Sequence, residues 1–109
     1  MADIKVKSIK DFNKVINGIN FYNLLCDKEG ISWQDGETLG TFEDIMYIIR
    51  HSSSQSRRID GFKYIITYTK VIDEFEFIVE GVQNIRSGSK SGDELGSLLF
   101  SNEIIIKSK

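Results

Sequence analysis

Residues 74–85 read Glu74-Phe75-Glu76-Phe77-Ile78-Val79-Glu80-Gly81-Val82-Gln83-Asn84-Ile85. Phe75, Phe77 and Val79 fall on alternate positions, with Glu74, Glu76 and Glu80 on the intervening parity. An extended chain sends alternate side chains to opposite sides, so this spacing separates aromatic and carboxylate groups onto two faces, which a 3.6-residue repeat cannot do. The stretch predicts a strand with one dry and one wet face, and hence an antiparallel sheet covered on one side. Upstream, Phe62 to Val71 is dense in Tyr, Ile and Thr, side chains that suit a pleated surface, and reads as its neighbour. Downstream, Ser87 to Gly92 reads as a loop, and Leu98 to Lys107 as a closing strand through Leu99, Phe100, Ile104, Ile105 and Ile106.

The first half of the chain changes period. Ile9, Phe12, Val15, Ile16 and Ile19 recur every three or four residues behind Ser8, a residue type that caps helices, with Asp11 three positions on. A first helix is expected there, broken at Gly18, although Phe21, Tyr22, Leu25 and Cys26 also fit continued helical packing. With that break, Ile19 to Cys26 and Ile31 to Trp33 become short strands joined through Asp27-Lys28-Glu29-Gly30, and Asp35-Gly36 marks a turn. Thr41 caps a second helix carrying Phe42, Ile45, Met46, Ile48 and Ile49. His51 to Arg58 has no apolar side chain to bury and reads as a solvated, mobile loop. Helices early and strands late give the fold class: α+β, two helices packed on one face of a mainly antiparallel β-sheet, with residues 1–109 as one domain.

Composition narrows the function classes. With 40% hydrophobic and 28% charged residues among 109, the chain has the ordinary mix of a folding domain. Fourteen basic against sixteen acidic side chains leave a net charge of −2, which creates no global attraction to phosphate backbones or anionic lipid. The charged start and the short apolar runs, Ile45 to Ile49 and Ile104 to Ile106, suit neither a secretory signal nor a bilayer span. The lone Cys26 cannot form an internal disulfide, so a reducing, cytoplasmic setting is expected, with no membrane partner. Richness in Ile, Lys, Asn and Ser, one Ala and no Pro points to an AT-rich genome, such as a low-GC bacterium or its phage.

Tests for chemistry return structural readings. His51 is the only histidine, which removes multi-histidine metal sites. Gly88-Ser89-Lys90-Ser91-Gly92 lacks P-loop spacing, and Asp93 and Glu94 follow where a phosphate would be repelled. Asp27, Glu29, Asp35 and Glu37 do not match a calcium loop, since Ser32 stands where a glycine turn is needed and Thr38 where a bidentate Glu would sit. Glu74, Glu76 and Glu80 are explained by the wet face of their strand, and Cys26 beside Leu24 and Leu25 reads as a small buried hydrophobe. No catalytic, cofactor or metal residue is assigned, and the chain is read as non-enzymatic.

What the sequence offers is surface for a partner. Arg50, His51, Arg57 and Arg58 form a basic, acid-free segment; Glu74, Glu76 and Glu80 form an acidic docking row; Trp33 is an aromatic that can anchor a contact. In size and composition the chain resembles phage or mobile-element accessory proteins, including anti-defence inhibitors and immunity proteins. The expected function is occlusion of a bacterial protein's working surface. The alternative is a small nucleic-acid or nucleotide binder using the Arg50 to Arg58 loop. A homodimer through an unpaired edge, either of the strand carrying Phe62 or of the terminal strand, stays open.

Overall fold

Alternation in residues 75–84 does build the central strand of the protein. The structure is a computed structural model describing residues 3–29, 42–51, 53–84 and 98–108, with Glu29 as backbone only. In chain order the elements are β1 (Ile4–Val6), α1 (Ile9–Phe12), β2 (Val15–Ile16), β3 (Ile19–Asn20), α2 (Phe21–Glu29), α3 (Phe42–Arg50), β4 (Ser54–Asp60), β5 (Lys63–Ile72), β6 (Phe75–Asn84), β7 (Leu99–Phe100) and β8 (Ile104–Ser108). The strand at Ile31 to Trp33, the Asp35-Gly36 turn, the Thr41 cap and the Ser87 to Gly92 loop lie outside the described residues.

The main sheet is antiparallel, in the order β1-β8-β6-β5-β4, with the short β7 also beside β6. Phe75, Phe77 and Val79 of β6 are buried, as are Ile72 of β5 and Ile104 and Ile106 of β8. They meet Phe12, Phe21, Tyr22, Leu25, Ile45, Met46 and Ile49 from the helices in one apolar cluster. Aromatic edges meet faces inside it: Phe21 and Phe75 at 5.1 Å and 85°, Phe12 and Tyr22 at 6.0 Å and 88°. These T-shaped contacts match positive ring edges to negative faces. The fold is α+β, with its helices on one face of a mainly antiparallel sheet.

Three local expectations are overturned. The first helix starts as anticipated, with Ser8 Oγ accepting from the Asp11 amide at 3.2 Å, but it stops after one turn at Asn13, not at Gly18. Asn17 and Gly18 have φ of +53° and +80° and form the two-residue turn between β2 and β3, where Ile16 faces Ile19. Two left-handed residues give the hairpin turn whose twist suits adjoining strands, so Asn-Gly here joins strands instead of ending a helix. Second, most of the expected strand Ile19 to Cys26 is α2. Asn20 Oδ1 accepts from the Asn23 amide at 3.1 Å and caps it, and Phe21, Tyr22, Leu25 and Cys26 then repeat at helical spacing and are all buried.

Third, the expected loop from His51 to Arg58 is mostly the strand β4. Because β4 covers β5, and β1 covers β8, neither of the two strands expected to present a free edge does so. The closing strand is divided into β7 and β8, and the Ser101 amide between them donates to the Glu80 carbonyl at 3.0 Å. Among the described residues, no helix is long and apolar enough to cross a membrane.

Candidate interaction surface

β4 reads Ser54-Gln55-Ser56-Arg57-Arg58-Ile59-Asp60, and each of its seven side chains is exposed. It pairs with β5 from Ser54 opposite Thr69 to Asp60 opposite Lys63. The turn between them is Gly61-Phe62, with Gly61 at φ +61°, a first central position that suits glycine in a tight hairpin. Among the described residues no strand lies against the outer side of β4, which ends the sheet. In an antiparallel pair alternate residues direct their amide and carbonyl groups away from the neighbour, so this side presents a row of backbone donors and acceptors.

Side chains along this edge divide by parity. Arg57 stands opposite Ile66, which faces Gly81, so Arg57 lies on the helix-bearing side. Arg58 stands opposite Ile65, which faces Val82, and lies on the other side. Arg57 Nη2 donates to Gln55 Oε1 at 3.4 Å, a surface bond within one face of the strand. At the hairpin tip Ile59 is 68% exposed and Phe62 71% exposed. Neither stands out as a contact residue in the sequence; the usable signal is Asp60-Gly61 just ahead of a segment rich in Tyr, Ile and Thr.

Arg50 does not join Arg57 and Arg58 in a basic cluster. It is the last residue of α3, its guanidinium carbon is 3.9 Å from the centre of the Phe100 ring, and its Nε donates to the Met46 carbonyl at 3.3 Å. A cation over a ring face is held by the ring quadrupole, so this arginine closes the core's edge. It lines a cleft of about 200 Å³ with Glu43, Met46, Phe100 and Asn102. His51 stacks on Tyr47 at 6.0 Å and 17°, and Ser53 Oγ donates to the Arg50 carbonyl at 2.8 Å.

The acidic row is also broken up. Glu74 sits in the turn between β5 and β6, outside the strand. Glu76 and Glu80 are half-buried on the face away from the helices, but Ile78 and Val82 alternate with them on that face. Glu76 is flanked by Val71 on one side and Lys107 on the other, which offsets its charge. Trp33 lies outside the described residues.

In the core, burial pushes the Tyr22 hydroxyl up to about 12, helped by the adjacent Cys26. Burial also raises the Cys26 thiol, against the opposing effect of its hydrogen bond with Tyr22. A raised thiol carries little thiolate, so Cys26 behaves as packing. Among the described residues no three His, Cys, Asp or Glu side chains are grouped to hold a metal ion. Set against known protein families, curated proteins and solved structures, the chain matches none of them.

Proposed function

We propose that this chain is a non-enzymatic binding domain of the phage or mobile-element accessory kind, acting in the cytoplasm, which blocks a bacterial protein by covering its working surface. The β4–β5 hairpin is the contact element. One observation carries this reading: β4 is a seven-residue strand with every side chain exposed, no strand of the described residues on its outer side, and an apolar tip at Ile59 and Phe62. Long free edges invite pairing with other chains, and folds that do not use them shield or shorten them. Exposed aromatic and aliphatic side chains at a projecting tip supply the few anchors that dominate binding energy.

Nucleic-acid binding through the Arg50 to Arg58 segment draws less support. Arg50 is folded over Phe100, and Arg57 and Arg58 address opposite faces of β4, so the three do not line one phosphate track.

The test is affinity capture from a low-GC bacterial lysate with the tagged protein, with protein, nucleic acid and small molecules read from the same eluate. A stoichiometric protein partner that is lost with Phe62→Ser and Ile59→Ser supports the reading. Nuclease-sensitive material, or a released nucleotide with no protein, overturns it.

A further inference from the structure

We propose that β4 accepts an extended acidic segment of the partner as a further strand of the sheet, and that this segment carries two adjacent carboxylates. The proposal rests on reading the chain as a protein-binding domain, and deepens it by naming the chemistry of the bound segment.

Backbone geometry supplies the mode. A peptide laid along the outer side of β4 satisfies the backbone groups that β5 leaves unpaired, which is how sheet edges capture extended chains. Charge supplies the occupant. Arg57 and Arg58 sit at the middle of β4, its only acid is Asp60 at the end, and the neighbouring β5 begins with Lys63 on the Arg58 face. A second copy of the chain fits poorly in the register that overlaps the whole of β4. Antiparallel self-pairing about the strand midpoint places Arg57 opposite Arg57, and moving the centre by one residue toward the tip places Arg58 opposite Arg58. Like charges directly opposite destabilise a strand pair.

The spacing of the carboxylates follows from parity. Arg57 and Arg58 project to opposite faces of the sheet, and the side chains of the added strand alternate in the same way. Two carboxylates next to each other in sequence therefore reach one arginine each. Two carboxylates separated by one residue fall on a single face and leave the other arginine unmatched. Carboxylate–guanidinium pairing is directional and often bidentate, so this difference is read as specificity as well as attraction.

The experiment uses the full, isotope-labelled chain and three terminally blocked peptides of Thr and Val: one with Glu-Glu at its centre, one with the two Glu separated by a Val, and one with Gln-Gln. Amide exchange and chemical shifts of Ser54 to Asp60 report binding. The Glu-Glu peptide is expected to slow alternate β4 amides and to bind about tenfold more tightly than the other two, a difference that lies within the range of paired interface charges. Arg57→Glu with Arg58→Glu should abolish its binding and create binding to the Lys-Lys counterpart, which also shows that the variant folds. Equal binding of all three peptides, no change in β4 at millimolar peptide, or protection by oligouridine in place of the acidic peptide overturns the proposal. If these fail while the captured partner is still lost with Phe62→Ser, only the edge assignment falls and the binding-domain reading survives.

Discussion

β5 is flanked by two antiparallel strands that solve opposite problems. On one side β6 pairs with it from Phe75 to Asn84 and buries Phe75, Phe77 and Val79 against the helices. On the other side β4 pairs with it from Ser54 to Asp60 and buries none of its side chains. A strand with one apolar face is held in register by burial, since a slip of one residue would move Phe75 and Phe77 into solvent. β4 has no such face. Its register rests on the backbone bonds to β5 and on the Gly61-Phe62 turn that starts the pairing. The same sheet thus contains a strand specified by its side chains and a strand specified by its neighbour.

The largest effect that would sharpen this contrast lies at Phe77. Its ring is fully buried and touches both Phe12 and Phe21, so Phe77→Ala should cost about 3–5 kcal/mol, the range for losing a core aromatic together with the cavity it leaves. Urea unfolding followed by circular dichroism measures it; a loss no larger than that of a surface substitution would mean that β6 is not the anchor of the sheet. Gly81 comes next. A Cβ placed there would lie 2.9 Å from Phe100 Cε1 and 3.0 Å from Leu98 Cδ1, both of them side chains that must move. Gly81→Val should therefore cost roughly 1–3 kcal/mol as an overpacking change. It should also displace Phe100 from under Arg50, visible as a shift of the Arg50 Nε resonance.

The contrast also explains what was legible in the sequence. Burial leaves a periodic trace, so β6, α3 and the α+β class could be read from Phe75, Phe77, Ile45 and Ile49, while β5 is read from its density of Tyr, Ile and Thr. β4 leaves none, because a strand exposed on both faces needs no apolar residue, and Ser54 to Arg58 is indistinguishable by composition from a loop. The region from Val15 to Cys26 failed for a different reason. Val15, Ile16 and Ile19 have helical spacing by coincidence, and the left-handed pair Asn17-Gly18 outweighs it by turning the chain within two residues. Of the proposed site, Arg57 and Arg58 were visible as the centre of a basic segment. Their separation onto two faces was not, since it depends on their being in a strand at all. Arg50 is close to them in sequence, whereas the end of α3 directs it onto Phe100.

A break confined to the weakly specified strand is expected at Gly61. Its φ of +61° is unfavourable for a β-branched residue, and nothing lies within 4 Å of the Cβ position, so the cost is conformational and not steric against neighbours. Gly61→Val should lose about 1–2 kcal/mol. Amide exchange should show the loss concentrated in β4, with β6 amides still protected; uniform loss across both strands would show that β4 is integral to the cooperative core and would remove the contrast.

The smallest stability effect is expected at Ile59, and it is the most informative about why the residue is there. Ile59 is opposite Tyr64 on the helix-bearing face and 68% exposed, so Ile59→Thr removes little buried area and keeps a β-branched side chain suited to a strand. The unfolding midpoint should stay within about 0.5 kcal/mol of the parent, as for surface positions without special partners. If the hairpin is the contact element, the same substitution should weaken partner capture clearly, because an apolar side chain held in water by a folded scaffold stabilises only a complex that covers it. A matched loss of stability and capture would instead mark Ile59 as part of the fold, and would leave Phe62 as the tip's anchor.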